Sequence, residues 1–424
     1  MFFTERLARR LPFFYGYVML PVAMAMQIGT SPGQTFAVSA FTPALLSELQ
    51  LSEGRLALAY MIGTLCAAVP LSVVGPISDQ WGLRRTSLTV IVLLAVACGF
   101  ASMVKGFSGL LLVFFLLRFL GQGSLTLLAG NATSMWFRKR IGRVSALISI
   151  GTAIAFAYVP SLLAASIEAR GFRLTYQVIA VTLAVALLPA VWLLFCNRPE
   201  DVGQVVDGDQ PVAAGETDSI AEDEPSATLR DAIRTKSYFV IGLTSATWAM
   251  IGTGLVFYLF TLCSDRGFAT GTAADVMKTF GLTMLAFQFF GGFAADRVKL
   301  SRLLGTGAVL LTAGIGLIGV AHTSIMMHGF AFLFGGGQGM LIAVTSVIWV
   351  RFYGRSHLGS IRGAVWCATV AGSGCGPLIM GSVKDQYRTY DPAIWVFAAM
   401  MAPLAIAAWM IVPPALNTAD SRSS

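Results

Sequence analysis

The sequence predicts an all-α polytopic membrane protein, with twelve transmembrane helices in two pseudo-symmetric six-helix bundles. Three observations predict it. Of the 424 residues, 56% are hydrophobic and only 12% charged, against roughly 25% charged in a soluble domain. Apolar stretches of about 20 residues, each long enough to cross roughly 30 Å of hydrocarbon, recur from end to end. Two polar motifs of the first half return in the second.

Twelve spans are predicted, at 14–46, 53–78, 86–104, 108–130, 144–168, 174–196, 237–263, 272–295, 302–321, 325–349, 358–382 and 391–413. The first starts from "TERLARRLPFFYGYVMLP", basic then apolar like a signal peptide. Its apolar region continues into "AVSAFTPALL", so it reads as an uncleaved first helix. It is longer than a crossing needs and carries "SPGQT" at its middle, which predicts a tilt or kink there. Span two runs into "GPISDQWGLRR". Span four, "LLLVFFLLRFLGQGSLTLL", has Arg118 at its centre, and span five has Pro160. After span six comes the only long polar stretch, 197–236. It is acidic and poor in aromatics and reads as a flexible cytoplasmic linker. The domains are therefore an N-terminal bundle (1–196), an acidic linker (197–236) and a C-terminal bundle (237–424). Span eight is charged only in its outermost turn, at Asp275 and Lys278. Span eleven contains the glycine-rich "AGSGCGPLIMG", a composition that favours close helix contact.

The net charge of +8 is explained by topology rather than by nucleic acid. With both termini in the cytoplasm, 20 Lys and Arg fall on the inner side and 8 on the outer side, as the positive-inside rule requires. The one basic residue left over is Arg118. The six cysteines form no C-x-x-C pair, so neither a disulfide framework nor a zinc site is indicated. No cofactor motif is present. The expected setting is the plasma (inner) membrane, the expected state a monomer.

The halves echo each other. "GPISDQWGLRR" (75–85) follows span two and "GFAADRVKLSR" (292–302) follows span eight. "GQGSLTLLAGNATSMWFRKR" (121–140) pairs with "GGGQGMLIAVTSVIWVRFYGR" (335–355). Repeats of this size are what a two-bundle secondary transporter carries. The sequence here resembles the major facilitator superfamily. Gly75, Asp79, Gly82, Arg84 and Arg85 match its loop 2–3 signature, with Gln80 in place of the usual basic residue. Arg118, Gly121 and Gly123 match its fourth-helix signature R-x-x-G-x-G. "SPGQTFAVSAF" and "RPEDVGQ" look like the bacterial monocarboxylate porter and oxalate–formate antiporter branch. That resemblance implies transport of a small carboxylate, often with a proton, and a cation in span eight or eleven to meet the substrate. Neither span has such a cation at mid-membrane.

The resemblance and the charge pattern together assign Asp79 a conformational latch with Arg84, Arg85 or a helix N-terminus, whose dipole favours an anion. Asp296 and Arg297 are expected to do the same in the second half. An ordinary positive-inside loop is the bland alternative. Arg118 is the sharper problem, because a guanidinium stays charged and is costly at mid-bilayer. No Asp or Glu lies at mid-membrane to neutralise it. It must face water, bond backbone carbonyls, or meet an anion that comes and goes. Its role is thus substrate binding, coupling, or structure. Thr30, Gln34, Tyr158, Trp248, Gln288, Gln338 and Trp366 are polar or aromatic groups near mid-span that could line the same cavity. Gln34 leads, because Pro32 and Gly33 loosen the helix beside it, and freed backbone is tolerated where it lines a cavity. The function expected is proton-coupled transport of a small organic anion, a monocarboxylate first. Efflux of a neutral or anionic amphipathic compound is the alternative. No nucleotide, metal or nucleophile motif points to an enzyme.

Overall fold

Each of these spans is helical in the computed structural model, which describes residues 13–137, 141–208, 227–269, 271–295, 297–354 and 358–414. Among the described residues, nine helical stretches are apolar and long enough to cross a membrane by length and composition. Three features account for the difference from twelve. Spans five and six run together over Leu147–Leu194 and are parted by Gly171 at φ 78°, a left-handed conformation that glycine adopts without strain. Span one is split into Gly16–Gly29 and Thr35–Leu49, each too short to cross alone. Span eight, Thr272–Ala295, has the length but is diluted by Asp275, Lys278 and Gln288.

The chain divides into two compact units, Met1–Glu216 and Thr217–Ser424. In the first, spans one and five meet through the Phe36 and Phe156 rings, 5.0 Å apart. Spans two and four meet where Gly63 lies against Phe114. Spans three and six are tied by Arg173, which donates to the Ser102 and Val104 carbonyls at 3.1 and 3.3 Å. The second unit repeats these pairings. Gly254 of span seven meets Gly376 of span eleven, Gly339 of span ten meets Met284 of span eight, and Trp409 of span twelve covers Gly305 of span nine. The echo read in the motifs is therefore also an echo in packing.

Both ends of the stretch read as a flexible linker are folded onto their own unit. Residues 195–208 form a strap across one end of the first. The Arg84 guanidinium donates to the Trp192 carbonyl, and the Arg84 N–H donates to Asn197 Oδ1 at 2.8 Å. Gln204 Oε1 accepts the Tyr15 N–H at 2.8 Å, and the Trp136 indole donates to the Cys196 carbonyl at 3.2 Å. In the second unit the Ala227 N–H donates to the Tyr353 carbonyl at 3.0 Å. The Tyr353 and Thr235 hydroxyls are 2.7 Å apart. Between these anchors Thr228 and Asp231 form a capping box. The Thr228 hydroxyl, with help from its N–H, holds the Asp231 carboxyl below the usual carboxylate range.

Candidate functional site

Proline lacks the N–H that a continuing helix needs, and Pro32 sits where span one breaks. The first helix ends at Gly29, a single 3₁₀ turn covers Ser31–Gly33, and helix resumes at Thr35 after an extended Gln34 (φ −87°, ψ 145°). The break is knitted locally. Thr30 Oγ1 donates to the Gln27 carbonyl at 2.7 Å, and Gln34 Nε2 donates to Thr30 Oγ1 at 3.1 Å.

Span four is irregular at the same level. From Arg118 to Leu125 it winds as a π-helix, a wide turn that appears mostly at functional sites. The two irregularities touch through glycines. A Cβ on Gly33 would overlap the Leu117 carbonyl and lie 2.7 Å from the Gln122 nitrogen. One on Gly121 would lie 3.1 Å from the Gly33 Cα and from the Thr30 carbonyl. Only hydrogen side chains permit this approach.

Arg118 sits in the crossing with 4% of its surface exposed. Its Nη1 donates to the Gly33 carbonyl at 3.2 Å. The Tyr60 ring of span two lies 5.0 Å from its Cζ, and the Tyr60 hydroxyl is 2.7 Å from Thr35 Oγ1. The Nε is buried with no hydrogen-bond partner. Nη1 is the guanidinium nitrogen on the Cδ side, so Gly33 leaves the opposite edge, Nε with Nη2, without a bond to any described residue. None of the described ion pairs includes Arg118. A hydrogen bond to a charged group is worth about 1.5–3 kcal/mol, and a desolvated cation–π contact about 2 kcal/mol. Desolvating an ion costs several kcal/mol. The charge is answered only in part, by a carbonyl and a ring.

The other expected residues are distributed as follows. Thr30 and Gln34 share the break with Gly33, beside Gly121. Tyr158 is 48% exposed and Trp366 66% exposed, on the first and second unit respectively. Trp248, Gln288 and Gln338 are half-buried in the second unit. Gln338 Oε1 is buried without a partner, and the close approach of Gly339 brings the Gln288 backbone beside span ten. In the loop signature, Gly82 has φ 87°, which explains a glycine there, whereas Gly75 is crowded by nothing. Asp79 and Arg85 are exposed. Asp79 and Arg84 do not pair here: the Arg84 guanidinium donates to the Trp192 carbonyl at the end of span six, and its backbone N–H donates to Asn197 Oδ1 in the strap. Arg297 is exposed, and Asp296 lies outside the described residues. Sequence reasoning missed Tyr60, whose position in an apolar run carries no signal of its contact with Arg118.

The second unit also holds a cavity of about 200 Å³ lined by Asp265, Arg266, Lys384, Tyr390 and Asp391 among others. Arg266 pairs with Asp391 at 2.8 Å, and Lys384 pairs with Asp265, which ties helix ends together. Arg388 also lines the cavity, outside these two pairs.

A family model described as Major Facilitator Superfamily matches residues 23–277 and 265–423. The chain belongs to the Major Facilitator Superfamily. Among curated relatives, it is 22% identical over 357 residues to an uncharacterized MFS-type transporter of Escherichia coli, YhjX, covering 81% of this chain and 82% of that one. It is 24% identical over 359 residues to the probable nitrate/nitrite transporter NarK2 of Mycobacterium tuberculosis, with the same coverage. Among solved structures, the nucleoside transporter NupG superimposes with a TM-score of 0.70 at 13% identity, covering 93% of this chain and 98% of that one. The human organic anion transporter MFSD10 gives 0.61 at 15%, covering 94% and 100%. These likenesses establish the major facilitator fold. This facilitator is a multi-pass membrane transporter.

Proposed function

We propose that this major facilitator protein carries a small organic anion, a monocarboxylate first, and that Arg118 receives it. The observation that carries the reading is the unpartnered Nε–Nη2 edge of a buried guanidinium. That edge presents two parallel N–H groups, the fork that matches two oxygens of one carboxylate. A carboxylate seated there completes a charge that Gly33 and Tyr60 answer only in part. One named relative points the same way, the probable nitrate/nitrite transporter. The short stretches "SPGQTFAVSAF" and "RPEDVGQ" favour the monocarboxylate and oxalate–formate branch.

Coupling follows from the same site. No carboxylate approaches Arg118 among the described residues, so in the symport proposed the substrate sits on Arg118 as its anion, and the proton joins it for the crossing or travels on another group. Alternating access would then expose Arg118 to each side in turn. We place the protein in the plasma (inner) membrane, with both termini and the 197–236 linker in the cytoplasm, by the distribution of Lys and Arg. Within that arrangement Asp79 and Arg297 remain candidates for contacts made in only one conformation. Uptake of labelled formate, acetate, lactate, oxalate and nitrate into proteoliposomes tests the reading, with and without an inward proton gradient. Accumulation of one acid driven by the gradient supports it. If no anion moves and a larger neutral compound does, the alternative of efflux replaces it.

A further inference from the structure

We infer that Tyr60 is the positioning residue of Arg118, and that Thr35 holds it in place. The inference rests on the anion reading above and deepens it, because it says how the receiving edge is aimed. Arg118 has five N–H donors and no acidic partner, so its orientation needs another source. Two contacts supply it, and they converge on the same short piece of span one.

The first contact is in the guanidinium plane, Nη1 to the Gly33 carbonyl at 3.2 Å. It fixes one corner and leaves the plane free to swing about it. The second is on the face, the Tyr60 ring at 5.0 Å from Cζ. A face contact stops that swing. Together they determine which edge of the group points away from the crossing, and that edge is Nε–Nη2.

Tyr60 is itself held at its ring and at its hydroxyl. It is fully buried, and its ring stands edge-on to Phe114 of span four, with centroids 5.4 Å apart. Its hydroxyl meets Thr35 Oγ1 at 2.7 Å. Thr35 is the first residue of the helix that resumes after the break, two positions beyond Gly33. The links close into a ring: guanidinium, Gly33 carbonyl, Thr35 hydroxyl, Tyr60 hydroxyl, Tyr60 ring and guanidinium again. A phenylalanine at 60 would supply the ring equally well. The hydroxyl is the part that ties the ring to the break, so that the carbonyl and the ring move as one unit.

This separates two roles that a simple packing account would merge. If Tyr60 merely fills space, Tyr60→Phe is silent. If it aims Arg118, Tyr60→Phe and Thr35→Val break the same bond and have the same consequence, while Thr35→Ser keeps the bond and rescues. The loss of one hydrogen bond predicts a KM for the transported anion raised about threefold to tenfold in both variants, with the maximal rate within about twofold of wild type because the charge itself is retained.

The test uses the full chain in two arms. Hydrogen–deuterium exchange over residues 28–36, without substrate, is compared for wild type, Tyr60→Phe, Thr35→Val, the double variant and Thr35→Ser. Faster exchange in both single variants, no further gain in the double and recovery in Thr35→Ser are expected. Wild-type exchange in Tyr60→Phe overturns the inference. Proteoliposome kinetics with formate, acetate, lactate, oxalate and nitrate form the second arm. An unchanged KM in Tyr60→Phe and Thr35→Val, for an anion that wild type carries, also overturns it. If wild type carries none of the five, the anion reading fails, and the exchange arm alone decides whether Tyr60 and Thr35 hold the Gly33 break.

Discussion

Arg118 donates from Nη1 to the carbonyl of Gly33 at 3.2 Å, across a crossing at which neither helix is regular. Span one has a 3₁₀ turn there and span four a π-helical segment. The carbonyl is presented because Gln34 is extended and the Ala37 N–H donates to the Gln34 carbonyl instead, at 3.1 Å, and the helices approach closely because residues 33 and 121 are glycines.

Gly33→Ala is therefore expected to be costly. Its methyl would overlap the Leu117 carbonyl, and overpacking of this kind typically costs about 1–3 kcal/mol. The melting temperature in detergent should fall clearly, and anion binding should fall with it because the Arg118 acceptor is displaced. A variant that melts like wild type would mean that the crossing relaxes freely.

The loop signature gives a contrasting expectation. A Cβ at Gly75 meets no atom within 4 Å, and alanine in a helix interior is favoured over glycine by roughly 0.5–1 kcal/mol. Gly75→Ala should melt at or above the wild-type temperature. If transport nevertheless slows, the glycine serves a contact made in another conformation. In the second unit Gly376→Ala should behave oppositely, since its methyl would run into the Met250 carbonyl.

The strap 195–208 predicts a role for Arg84 distinct from the latch. Arg84→Ala removes the donor to Trp192, and Asn197→Ala removes the acceptor of the Arg84 N–H. Asn197→Ala should speed hydrogen exchange across 195–208 while leaving 28–36 unchanged, whereas Arg84→Ala, which keeps the backbone N–H to Asn197, should loosen only the end of span six at Trp192. Fast exchange of the strap in the wild-type protein would contradict this docking.

The capping box at the other end of the linker gives a pH dependence. Hydrogen bonds from Thr228 lower the folded-state pKa of Asp231, so the box is fully formed above the ordinary aspartate value of about 4. Its contribution is lost as pH falls through the lowered folded-state value. Protection factors at 228–233, which remove the intrinsic pH dependence of exchange, should fall on acidification in that window, and Asp231→Asn should remove this change. A profile that is flat in wild type would argue against the box.

Much of this architecture was legible in the sequence. The spans are marked by long apolar runs, and the repeated pairings are foreshadowed by the G-x-x-x-D motifs after spans two and eight. The break at "SPGQT" was read from Pro32 with Gly33, although Pro21 and Pro43 of the same span lie inside unbroken helix. What answers Arg118 was not legible: the π-helical turn depends on packing against Gly33, and Tyr60 reaches the guanidinium only through the folded contact of spans two and four. The acidic composition of 197–236 hid the strap, because its few apolar residues, such as Pro199 and Val202, are buried and hydrogen bonds to Tyr15, Arg84 and Trp136 hold it. Charge pairing is likewise a matter of competition. Asp79 and Arg84 are close in sequence, but the Trp192 carbonyl takes the Arg84 guanidinium.

The central claim is that the Nε–Nη2 edge of Arg118 receives the anion. Equilibrium binding of the transported anion to wild type, Arg118→Lys and Arg118→Gln tests it most directly. Lysine keeps a positive charge without the fork, and glutamine keeps neither. The account predicts that Arg118→Gln loses binding and that Arg118→Lys loses most of it, by about tenfold or more. Binding in Arg118→Gln equal to wild type would contradict the account and leave Arg118 as a structural tie between spans one and four.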